Sequence, residues 1–269
     1  MNDTSALLQP LIYTAVRAGG AIMAVYATDF SVRNKADASP VTEADEAAER
    51  IILDELVKLA PDIPVVAEEA VAAGRVPVIA QRFFLVDPLD GTREFVSHRD
   101  EFTVNIALIE SAQPVLGVVY APARHELYWG DVKAAQAGFL GSDPDGTMPS
   151  KGVAISARRA PAEGLTAVAS RSHGTPETDA FLAQYPVKEF RSVGSSLKFC
   201  LVASGEAELY PRFGRTMEWD TAAGHAVLAA AGGWVRTTDG APLLYGKEAQ
   251  GFANPAFIAS ADPVQMLAL

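Results

Sequence analysis

The sequence has little cysteine and little basic charge. Cys200 is the only cysteine among 269 residues, and 33 acidic side chains stand against 22 basic ones, which gives a formal net charge of −11. A single cysteine excludes an internal disulfide and is typical of a reducing compartment. The acidic excess argues against binding of a nucleic-acid polymer. A small phosphorylated molecule remains compatible, because it needs only a local cationic site or a metal ion.

The sequence also lacks targeting and nucleotide-loop motifs. Residues 1–10 do not have the basic and then apolar order of a signal peptide, and we read no run as long and apolar enough to cross a bilayer. No G-x-G-x-x-G or phosphate-binding loop motif is present. We therefore expect a soluble cytoplasmic protein without a transmembrane segment, and we leave open a peripheral contact with the inner membrane.

Two amphipathic helices are predicted near the start of the chain, which is 49 % hydrophobic and can bury a large core. Apolar residues recur at helical spacing over residues 7–16. A polar stretch at 33–40 is read as a loop or hairpin. The segment "TEADEAAERIILDELVKLAP" then predicts a second helix that Thr42 caps and Pro61 ends.

The next segments predict strands. They are the short apolar runs "IPVVAEE", "RFFLVDP", "FTVNIALIE", "PVLGVVYAP" and "HELYWG". Strands that follow one another with short turns favour antiparallel pairing, so this half is predicted to be α+β. A stretch rich in Gly, Pro, Asp and Ser at 141–152 is the best boundary candidate. It divides the chain into an N-terminal α+β half (1–150) and a C-terminal α/β half (151–269).

The C-terminal half alternates between strand and helix patterns. We predict strands at "LTAVASRS" and "AELYPRF", and helices at 176–185, "GSSLKFCLVASG" and "WDTAAGHAVLAAAGG". Within the second of these helices, Cys200 lies one turn from apolar neighbours, which indicates a core position. The helix start at Gly194 would offer N–H groups that suit an anion.

The heptad "VDPLDGT" at 86–92 ends a run of large apolar residues with two carboxylates. Asp-Pro and Asp-Gly are ordinary turn dipeptides, so a β-turn explains part of it. A turn does not need two acids directed from one strand end. Asp87 and Asp90, with the Leu89 carbonyl, have the oxygen chemistry to ligate a pair of hard cations. The N–H groups of Gly91 and Thr92 are then available for a phosphate oxygen.

The heptad and several other segments resemble the inositol monophosphatase superfamily of metal-dependent, lithium-sensitive phosphatases. "DPLDGT" is similar to its D-P-x-D-G-T motif, "WDTAAGHAVLAAAGG" to its W-D-x-A-A-G block, and "VVAEE" to its acid-acid step. Within the superfamily, "SPVTEAD", "LVDPLDGTREF", "SRSH", "VGSSLKFCLVASG" and "LYPRFG" resemble the 3′(2′),5′-bisphosphate nucleotidases. The implied fold is the layered α/β sandwich (αβαβα) of sugar phosphatases, with the active site between its two halves.

The resemblance implies a Mg²⁺ site with two or more ions. Glu68, Asp87 and the Leu89 carbonyl match the ligands of one metal, and Asp87, Asp90 and Asp220 match those of a second. Most of these ligands fall in the N-terminal half, whereas Asp220 falls in the C-terminal half. Asp220 is also expected to touch the substrate, and Glu68 to take part in catalysis.

The resemblance further implies that Asp45 and Thr92 orient and deprotonate the attacking water. Each of these assignments has a plainer alternative in the sequence. Asp45 also favours a helix N-terminus, Asp220 also suits the N-cap of its helix, and Thr92 also suits a turn. Glu69 stands beside Glu68 as an alternative ligand, and only the motif alignment favours Glu68.

The nucleotide contacts that the resemblance implies lie mostly in the C-terminal half. His173, Gly194, Ser195, Lys198 and Arg212 match them, and Gly91 and Thr92 add backbone contacts to the reacting phosphate. Arg and Lys suit a phosphate electrostatically. The plainer alternatives are a loop position for His173 and a solvated helix position for Lys198.

The implied activity is Mg²⁺-dependent removal of the 3′-phosphate of adenosine 3′,5′-bisphosphate, and also of its sulfated form, in sulfur metabolism. An inositol monophosphatase or another sugar-phosphate phosphatase is the alternative, because the metal site contacts only a phosphate. A non-catalytic module on the same fold is a third reading, against which the full ligand set argues. The expected partner is a small nucleotide, with no nucleic-acid polymer, and a homodimer is compatible with the resemblance.

Overall fold

The computed structural model describes residues 4–34, 40–141, 152–170 and 174–261. Its α-helices are α1 Leu8–Tyr26, α2 Glu43–Leu59, α3 Glu68–Ala72, α4 Thr92–Val96, α5 Pro176–Leu182, α6 Leu197–Ala203 and α7 Glu218–Ala230. Its strands in the first part of the chain are β1 Val32–Asn34, β2 Pro40–Thr42, β3 Val65–Ala67, β4 Arg82–Asp90, β5 Thr103–Glu110, β6 Gln113–Ala121, β7 Glu126–Asp131, β8 Gln136–Gly141 and β9 Val153–Ala154. The later strands are β10 Leu165–Ser170, β11 Val187–Val193, β12 Leu209–Arg212, β13 Trp234–Thr237 and β14 Phe257–Ser260.

The larger sheet has the strand order β3-β4-β5-β6-β7-β8-β9 in the described residues. Only β3 and β4 run parallel, and the other neighbours are antiparallel. Alternate residues of β4 face opposite sides, as strand geometry requires. Phe84 and Val86 pack into one core, whereas Phe83 and Leu85 pack into another. A strand buried on both faces explains why this segment reads as a continuous apolar run.

Helices and sheets alternate in layers. Helices α1 and α2 cover one face of the larger sheet, while α6 and α7 lie between its other face and a second sheet. The second sheet has the order β11-β10-β12-β14-β13, and α5 packs on its far side through Phe181 and Leu182. The predicted layered α/β fold is therefore confirmed.

A close helix-sheet contact fixes the height of α7. Gly117 of β6 faces this helix, and an added Cβ would lie 2.3 Å from the carbonyl oxygen of Ala223. Any side chain at Gly117 would push α7 away from the sheet. The contact therefore sets where the first turn of α7, which carries Asp220, stands relative to β4.

The local predictions for α2 agree with the structure. The Thr42 hydroxyl accepts the N–H of Ala44, and the helix ends at Leu59 before Pro61. The polar stretch before it contains the antiparallel pair β1 and β2. Cys200 is fully buried in the core, as its apolar neighbours indicate.

Other local predictions need correction. The acids of "IPVVAEE" do not end a strand but begin α3, and α6 begins at Leu197 rather than Gly194. Strands β8, β9, β11, β13 and β14 were not recognised in the sequence, because they are short or carry few apolar residues. Most of the predicted boundary segment at 141–152 lies outside the described residues, and the division of the chain at residue 150 stays a prediction.

One helix also corrects the expectation about membrane spans. Residues Ser5–Tyr26 are long and apolar enough to cross a bilayer by length and composition alone. Core helices of folded proteins meet the same criterion. In the structure Leu11, Ala15, Ala18 and Ile22 of this segment have no solvent exposure and pack in the core with α2 and the larger sheet. Packing within the protein therefore accounts for these four apolar residues, in a span of which 39 % is buried.

Candidate active site

A cleft of about 230 Å³ opens where the end of β4 meets the starts of α4 and α7 and the loop before α6. It contains acidic, basic and hydroxyl side chains on facing walls. Its polar lining residues include Glu68, Asp90, Thr92, Arg93, Ser195, Lys198, Arg212, Arg215 and Asp220. The structure thus brings together most of the predicted site residues from both halves of the chain.

The heptad at 86–92 forms both a turn and part of this cleft. Asp87 is 2 % exposed, and its Oδ1 accepts the N–H of Leu89 at 3.0 Å. Gly91 adopts a φ of 91° as it leads into α4, and an added Cβ would lie 3.0 Å from the carbonyl oxygen of Glu101. Both facts require glycine here. The turn reading and the site reading are therefore compatible.

Four carboxylates, Glu68, Asp87, Asp90 and Asp220, form what we call the carboxylate cluster. Burial, and then repulsion from Glu68, Asp90 and Asp220, raises the pKa of Asp87 well above its usual value. Burial, and then Asp90 and Glu68, raises the pKa of Asp220 in the same way. The carboxylates of Glu68, Asp90 and Asp220 thus act together on Asp87, and each disfavours its charged form.

The donor set of the carboxylate cluster fits hard divalent cations. Carboxylate and carbonyl oxygens are the ligands that Mg²⁺ prefers, and a cation bound among these carboxylates would relieve their mutual repulsion. In the described part of the chain, however, no three Asp, Glu, His or Cys side chains converge closely enough to hold one ion together. The fit therefore rests on ligand chemistry and shared burial, not on a closed coordination shell.

Hydrogen bonds from the loop before α6 hold Asp90. Its Oδ2 accepts the hydroxyl of Ser195 at 2.7 Å and the N–H of Ser196 at 2.7 Å. Burial raises the pKa of Asp90, and the Ser195 hydrogen bond opposes that shift. The Ser195 hydroxyl also contacts Thr103 on β5, the strand next to β4. The loop and the strand end are thus tied to one carboxylate.

Asp45 and Thr92, which are distant in sequence, are brought together. Asp45 is the third residue of α2, and its Oδ2 accepts both the N–H and the hydroxyl of Thr42, at 2.7 and 2.8 Å. Its Oδ1 lies 3.3 Å from the Thr92 hydroxyl. That hydroxyl also lies 3.1 Å from the carbonyl oxygen of Leu89. The capping reading of Asp45 is right, and it leaves the second oxygen directed at Thr92.

Asp220, like Asp45, is positioned by a hydrogen bond at the start of its helix. Helix α7 begins at Glu218, so Asp220 is its third residue and not its N-cap. Its Oδ2 accepts the N–H of Met217 at 2.8 Å. The reciprocal bond from an acid at the third helical position back to the cap fixes the side chain at a helix start. Helices α2 and α7 thus each hold one acid at the cleft by their first turn.

The structure separates the two adjacent glutamates at the start of α3. Glu68 lines the cleft and interacts with Asp87. Glu69 instead lines a different cavity, with Glu49 and Arg75. The side chains of consecutive residues in the first turn of a helix point in different directions. The motif alignment that favoured Glu68 therefore agrees with the geometry.

Lys198 is buried, with 3 % exposure, and is not the solvated helix residue of the alternative reading. Its ammonium donates to the carbonyl oxygens of Val193, at 3.2 Å, and Ser195. It also lies 5.4 Å from the centre of the Tyr210 ring. Burial lowers the pKa of Lys198 to about 8, and nearby Asp90 opposes that shift. Lys198 therefore supports the loop that holds Asp90, besides lining the cleft.

Two further cations enter the cleft from the end of β12. Arg212 donates to the carbonyl oxygens of Gly214 and Arg215, at 3.1 and 3.0 Å. Arg215 is exposed and lines the cleft. Sequence reasoning missed Arg215 and Arg93, which also lines the cleft. Their signal was present, because each lies within three residues of a predicted site residue, Arg212 and Thr92 respectively.

One predicted nucleotide contact, Gly194, differs from the expectation, and another, His173, is not tested. Gly194 does not begin a helix. Its N–H donates to the Glu101 carboxylate at 2.8 Å. Gly194 therefore lines the cleft without the helix-start N–H groups expected for an anion. His173 lies outside the described residues, and its role stays a prediction.

Comparisons with known proteins agree with this geometry. A sequence profile of the inositol monophosphatase family matches residues 3–262. The chain is 47 % identical over 253 residues to the 3′(2′),5′-bisphosphate nucleotidase CysQ of Escherichia coli O157:H7, covering 93 % of this chain and 98 % of that protein. It is 40 % identical over 263 residues to the CysQ nucleotidase of Buchnera aphidicola, covering 97 % and 96 %.

Solved structures show the same likeness. The crystal structure of CysQ from Bacteroides thetaiotaomicron, a bacterial member of the inositol monophosphatase family, superposes with a TM-score of 0.76 at 38 % identity, covering 93 % of this chain and 95 % of that one. The IMPase of Thermotoga maritima superposes with a TM-score of 0.76 at 25 % identity, covering 96 % and 92 %.

Proposed function

The chain belongs to the inositol monophosphatase family, and on that premise we propose that it is a Mg²⁺-dependent 3′(2′),5′-bisphosphate nucleotidase. The reaction is removal of the 3′-phosphate of adenosine 3′,5′-bisphosphate, which gives AMP and phosphate. The sulfated form, with a 5′-phosphosulfate, is a second substrate of the same kind. This activity serves sulfur assimilation in the cytoplasm. The nearly full-length similarity to nucleotidases of that name supports the proposal.

The observation that carries the proposal is the arrangement of the cleft. The carboxylate cluster lies beside the Asp45–Thr92 pair, which are 3.3 Å apart, and cationic side chains line the same cleft. A phosphoryl group that departs loosely needs its charge neutralised and a water aligned, with little covalent help. This cleft offers groups for both tasks, together with cations for a second phosphate.

The cofactor we propose is Mg²⁺, with two or more ions per site. Glu68, Asp87 and the Leu89 carbonyl would hold one ion, and Asp87, Asp90 and Asp220 a second. Binding of the second ion would have to draw these three carboxylates together, since they do not converge in the described structure. When bound, such ions neutralise phosphoryl charge and lower the pKa of water. A cation held there would offset the repulsion from Glu68, Asp90 and Asp220 that helps to raise the pKa of Asp87.

Asp45 and Thr92 would orient and deprotonate the attacking water. One oxygen of Asp45 is held by Thr42, so the carboxylate cannot turn away from Thr92. The Thr92 hydroxyl gives its proton to Asp45 Oδ1 and accepts one from the water. Glu68, which lines the same cleft, would assist. Because the hydroxyl already lies within reach of Asp45, little reorganisation is needed.

The substrate would lie along the cleft from the carboxylate cluster to the arginines. The backbone N–H groups of Gly91 and Thr92 would hold the 3′-phosphate at the first turn of α4. Arg212 and Arg215 would hold the 5′-phosphate, because guanidinium groups match phosphate oxygens in pairs. Lys198, Ser195 and Gly194 would shape the cleft wall between them, and His173 remains a proposed contact.

An inositol monophosphatase is the second candidate. The structural likeness to the Thermotoga protein named IMPase favours it. The carboxylate cluster would act equally on any phosphate monoester, so the cations decide between the two. The sequence identity to the nucleotidases is higher, at 47 %. A homodimer of either enzyme stays a prediction.

The basic experiment is phosphate release from adenosine 3′,5′-bisphosphate by the purified chain. We expect turnover with millimolar Mg²⁺, none after addition of EDTA, and full recovery when Mg²⁺ is restored in excess. Undiminished release in EDTA by a protein stripped of metal would refute the metal dependence. Absence of release under all metal conditions, by a folded protein, would favour the non-catalytic reading.

A further inference from the structure

Glu49 lies behind the cleft on α2, one turn after Asp45. It is 4 % exposed, and its Oε2 accepts the backbone N–H of Glu69 at 2.9 Å. This donor belongs to the first turn of α3, whose first residue is Glu68. Glu49 is therefore bonded to the backbone that carries Glu68, and not to Glu68 itself.

Helix α3 has no cap of its own. It is five residues long, and Ala67 at its N-cap position has no side chain that can accept a hydrogen bond. The first N–H groups of any helix lack intrahelical acceptors, and a helix this short gains little stability from its own hydrogen bonds. The buried carboxylate of Glu49 provides the missing acceptor from a neighbouring helix.

The direction of Glu68 depends on this first turn. A capping acceptor fixes the backbone where the chain changes from strand to helix, and β3 ends at Ala67, directly before Glu68. Glu69 lines the cavity that also contains Glu49, whereas Glu68 lines the cleft. Residues 45 and 49 lie on one face of α2, four residues apart. One helix face thus supports both Thr92 and the turn that presents Glu68.

We propose that Glu49 is a positioning residue, which aligns Glu68 for metal binding by capping α3. The inference rests on the proposed metal site. A cap that served only the fold would change the free energy of unfolding and leave metal affinity unchanged once the protein is folded. A cap that aligns a ligand changes metal affinity through that ligand, typically by about 10- to 100-fold for residues that support metal ligands.

The test measures binding of Mn²⁺ alone, counted by electron paramagnetic resonance without substrate. Mn²⁺ is the probe because it shares the preference of Mg²⁺ for oxygen ligands. Glu49→Met keeps the length and removes the acceptor, so we expect a loss of about tenfold in Mn²⁺ affinity. Glu49→Gln keeps an oxygen acceptor and should lose much less. The matched control is Glu46→Gln, an exposed acid on the same helix, which should bind Mn²⁺ as the unmodified protein does.

A double-mutant cycle with Glu68→Gln separates alignment from a merely structural role. If Glu49 acts through Glu68, then Glu49→Met should cost little further Mn²⁺ affinity once Glu68 is already replaced. Additive losses would overturn the proposal. If Glu68→Gln alone leaves Mn²⁺ affinity unchanged, the proposed metal site itself fails, which is a different outcome from a failure of Glu49 alone.

The folded state of each variant is checked by cooperative thermal unfolding. If Glu49→Met does not fold, Glu49→Asp replaces it, since one methylene less withdraws the acceptor while keeping the charge. We then expect Glu49→Asp to bind Mn²⁺ more weakly than Glu49→Gln. Equal affinities for these two variants, or a folded Glu49→Met that binds Mn²⁺ within twofold of the unmodified protein, would overturn the proposal.

Discussion

The two sides of the cleft are built in different ways. The carboxylate cluster comes from a strand end and from helix starts, where backbone N–H groups hold Asp87 and Asp220. We call Lys198, Arg212 and Arg215 the cationic wall. The hydrogen bonds seen for Lys198 and Arg212 go mainly to carbonyl oxygens of their own loops. The cluster is a compact motif, which we propose acts on any phosphate monoester. The wall is dispersed, and we propose that it distinguishes one phosphate ester from another.

The difference teaches where specificity is encoded. On the proposed mechanism, the carboxylate cluster cannot vary without loss of the metal ions that neutralise a phosphoryl group. The cationic wall would contact a part of the substrate that does not react, so its changes should alter substrate choice more than chemistry. Lys198 is the exception, because it supports the loop that holds Asp90 through Ser195. Mutations on the two sides should therefore give different kinetic patterns.

The largest effect is expected on the carboxylate cluster. Asp90→Asn keeps the shape and removes one charge, so turnover at saturating Mg²⁺ should fall at least about 100-fold on every substrate, the scale of losing one charge-stabilising group. The matched control is Glu69→Gln, an acid beside the cluster but outside the cleft, which should keep near-normal turnover. Steady-state phosphate release decides it. Near-normal turnover by Asp90→Asn would remove Asp90 from the site.

The next effect concerns the water rather than the metal. Thr92→Ala should lower kcat more than it raises KM, because alignment of the nucleophile counts mainly in the transition state. We expect a loss of about 10² in kcat, within the range for positioned proton transfer. Thr92→Ser keeps the hydroxyl and should recover most of the rate. A change confined to KM would contradict the role of the Asp45–Thr92 pair.

A smaller and selective effect is expected on the cationic wall. Arg212→Ala or Arg215→Ala removes a charge-assisted contact of about 1.5–3 kcal/mol, which is about one to two decades in kcat/KM. The loss should fall on bisphosphates, while release from 3′-AMP should barely change. Lys198→Met should reduce both, since it also supports Asp90. Arg236→Ala, on exposed β13, is the control.

Equal losses on both substrates by the arginine variants would contradict this division. Such equal losses would mean that Arg212 and Arg215 stabilise the end of β12 or the carboxylate cluster. A selective loss by Lys198→Met would return Lys198 to direct contact with the second phosphate, as the family resemblance implies.

The smallest effect is expected from His225, in the core behind both sides of the cleft. Burial lowers the pKa of His225 to about 3, and its Nδ1 lies 3.0 Å from the Tyr245 hydroxyl. Its usual pKa is about 6.5, so the unfolded chain takes up a proton that the folded chain refuses. The stability this neutral histidine contributes is therefore present above pH 6.5 and is lost as the pH falls toward 3.

The measurement is the free energy of unfolding by urea between pH 7 and pH 4, compared with His225→Gln. As the pH falls, the free energy of unfolding of the variant should decrease less steeply than that of the unmodified protein. The two slopes should differ by at most about 1.36 kcal/mol per pH unit, the value for one proton. Activity at neutral pH should change little by comparison with Asp90→Asn. Identical slopes would show that His225 takes up its proton in the folded state.

The sequence predicted the carboxylate cluster better than the cationic wall, for a physical reason. Asp87, Leu89 and Asp90 must be adjacent, because one strand end has to present them together, and such adjacency is visible in a sequence. The first-turn positions of Asp45 and Asp220 are equally local. Arg215 and Arg93 lie close in sequence to predicted site residues, but only folding shows that the end of β12 and the start of α4 meet at one cleft.

The same reason explains which helices and strands could be predicted from the sequence. Long periodic segments such as α2 and β4 were predicted, because a buried face imposes its period on the sequence. Short elements such as α3 and β11 were missed, since tertiary contacts hold them. The cap that Glu49 provides to α3 is one such contact, and twenty residues separate its two partners. No local pattern encodes it.

The most direct measurement is the ratio of kcat/KM for adenosine 3′,5′-bisphosphate to that for inositol 1-phosphate, at saturating Mg²⁺. The carboxylate cluster treats the reacting phosphates alike, so the ratio reports the cationic wall. One or more charge-assisted contacts predict a ratio of at least about 10 in the unmodified protein, falling toward 1 when Arg212 and Arg215 are both replaced by alanine. A ratio at or below 1 in the unmodified protein would contradict the account and favour an inositol monophosphatase.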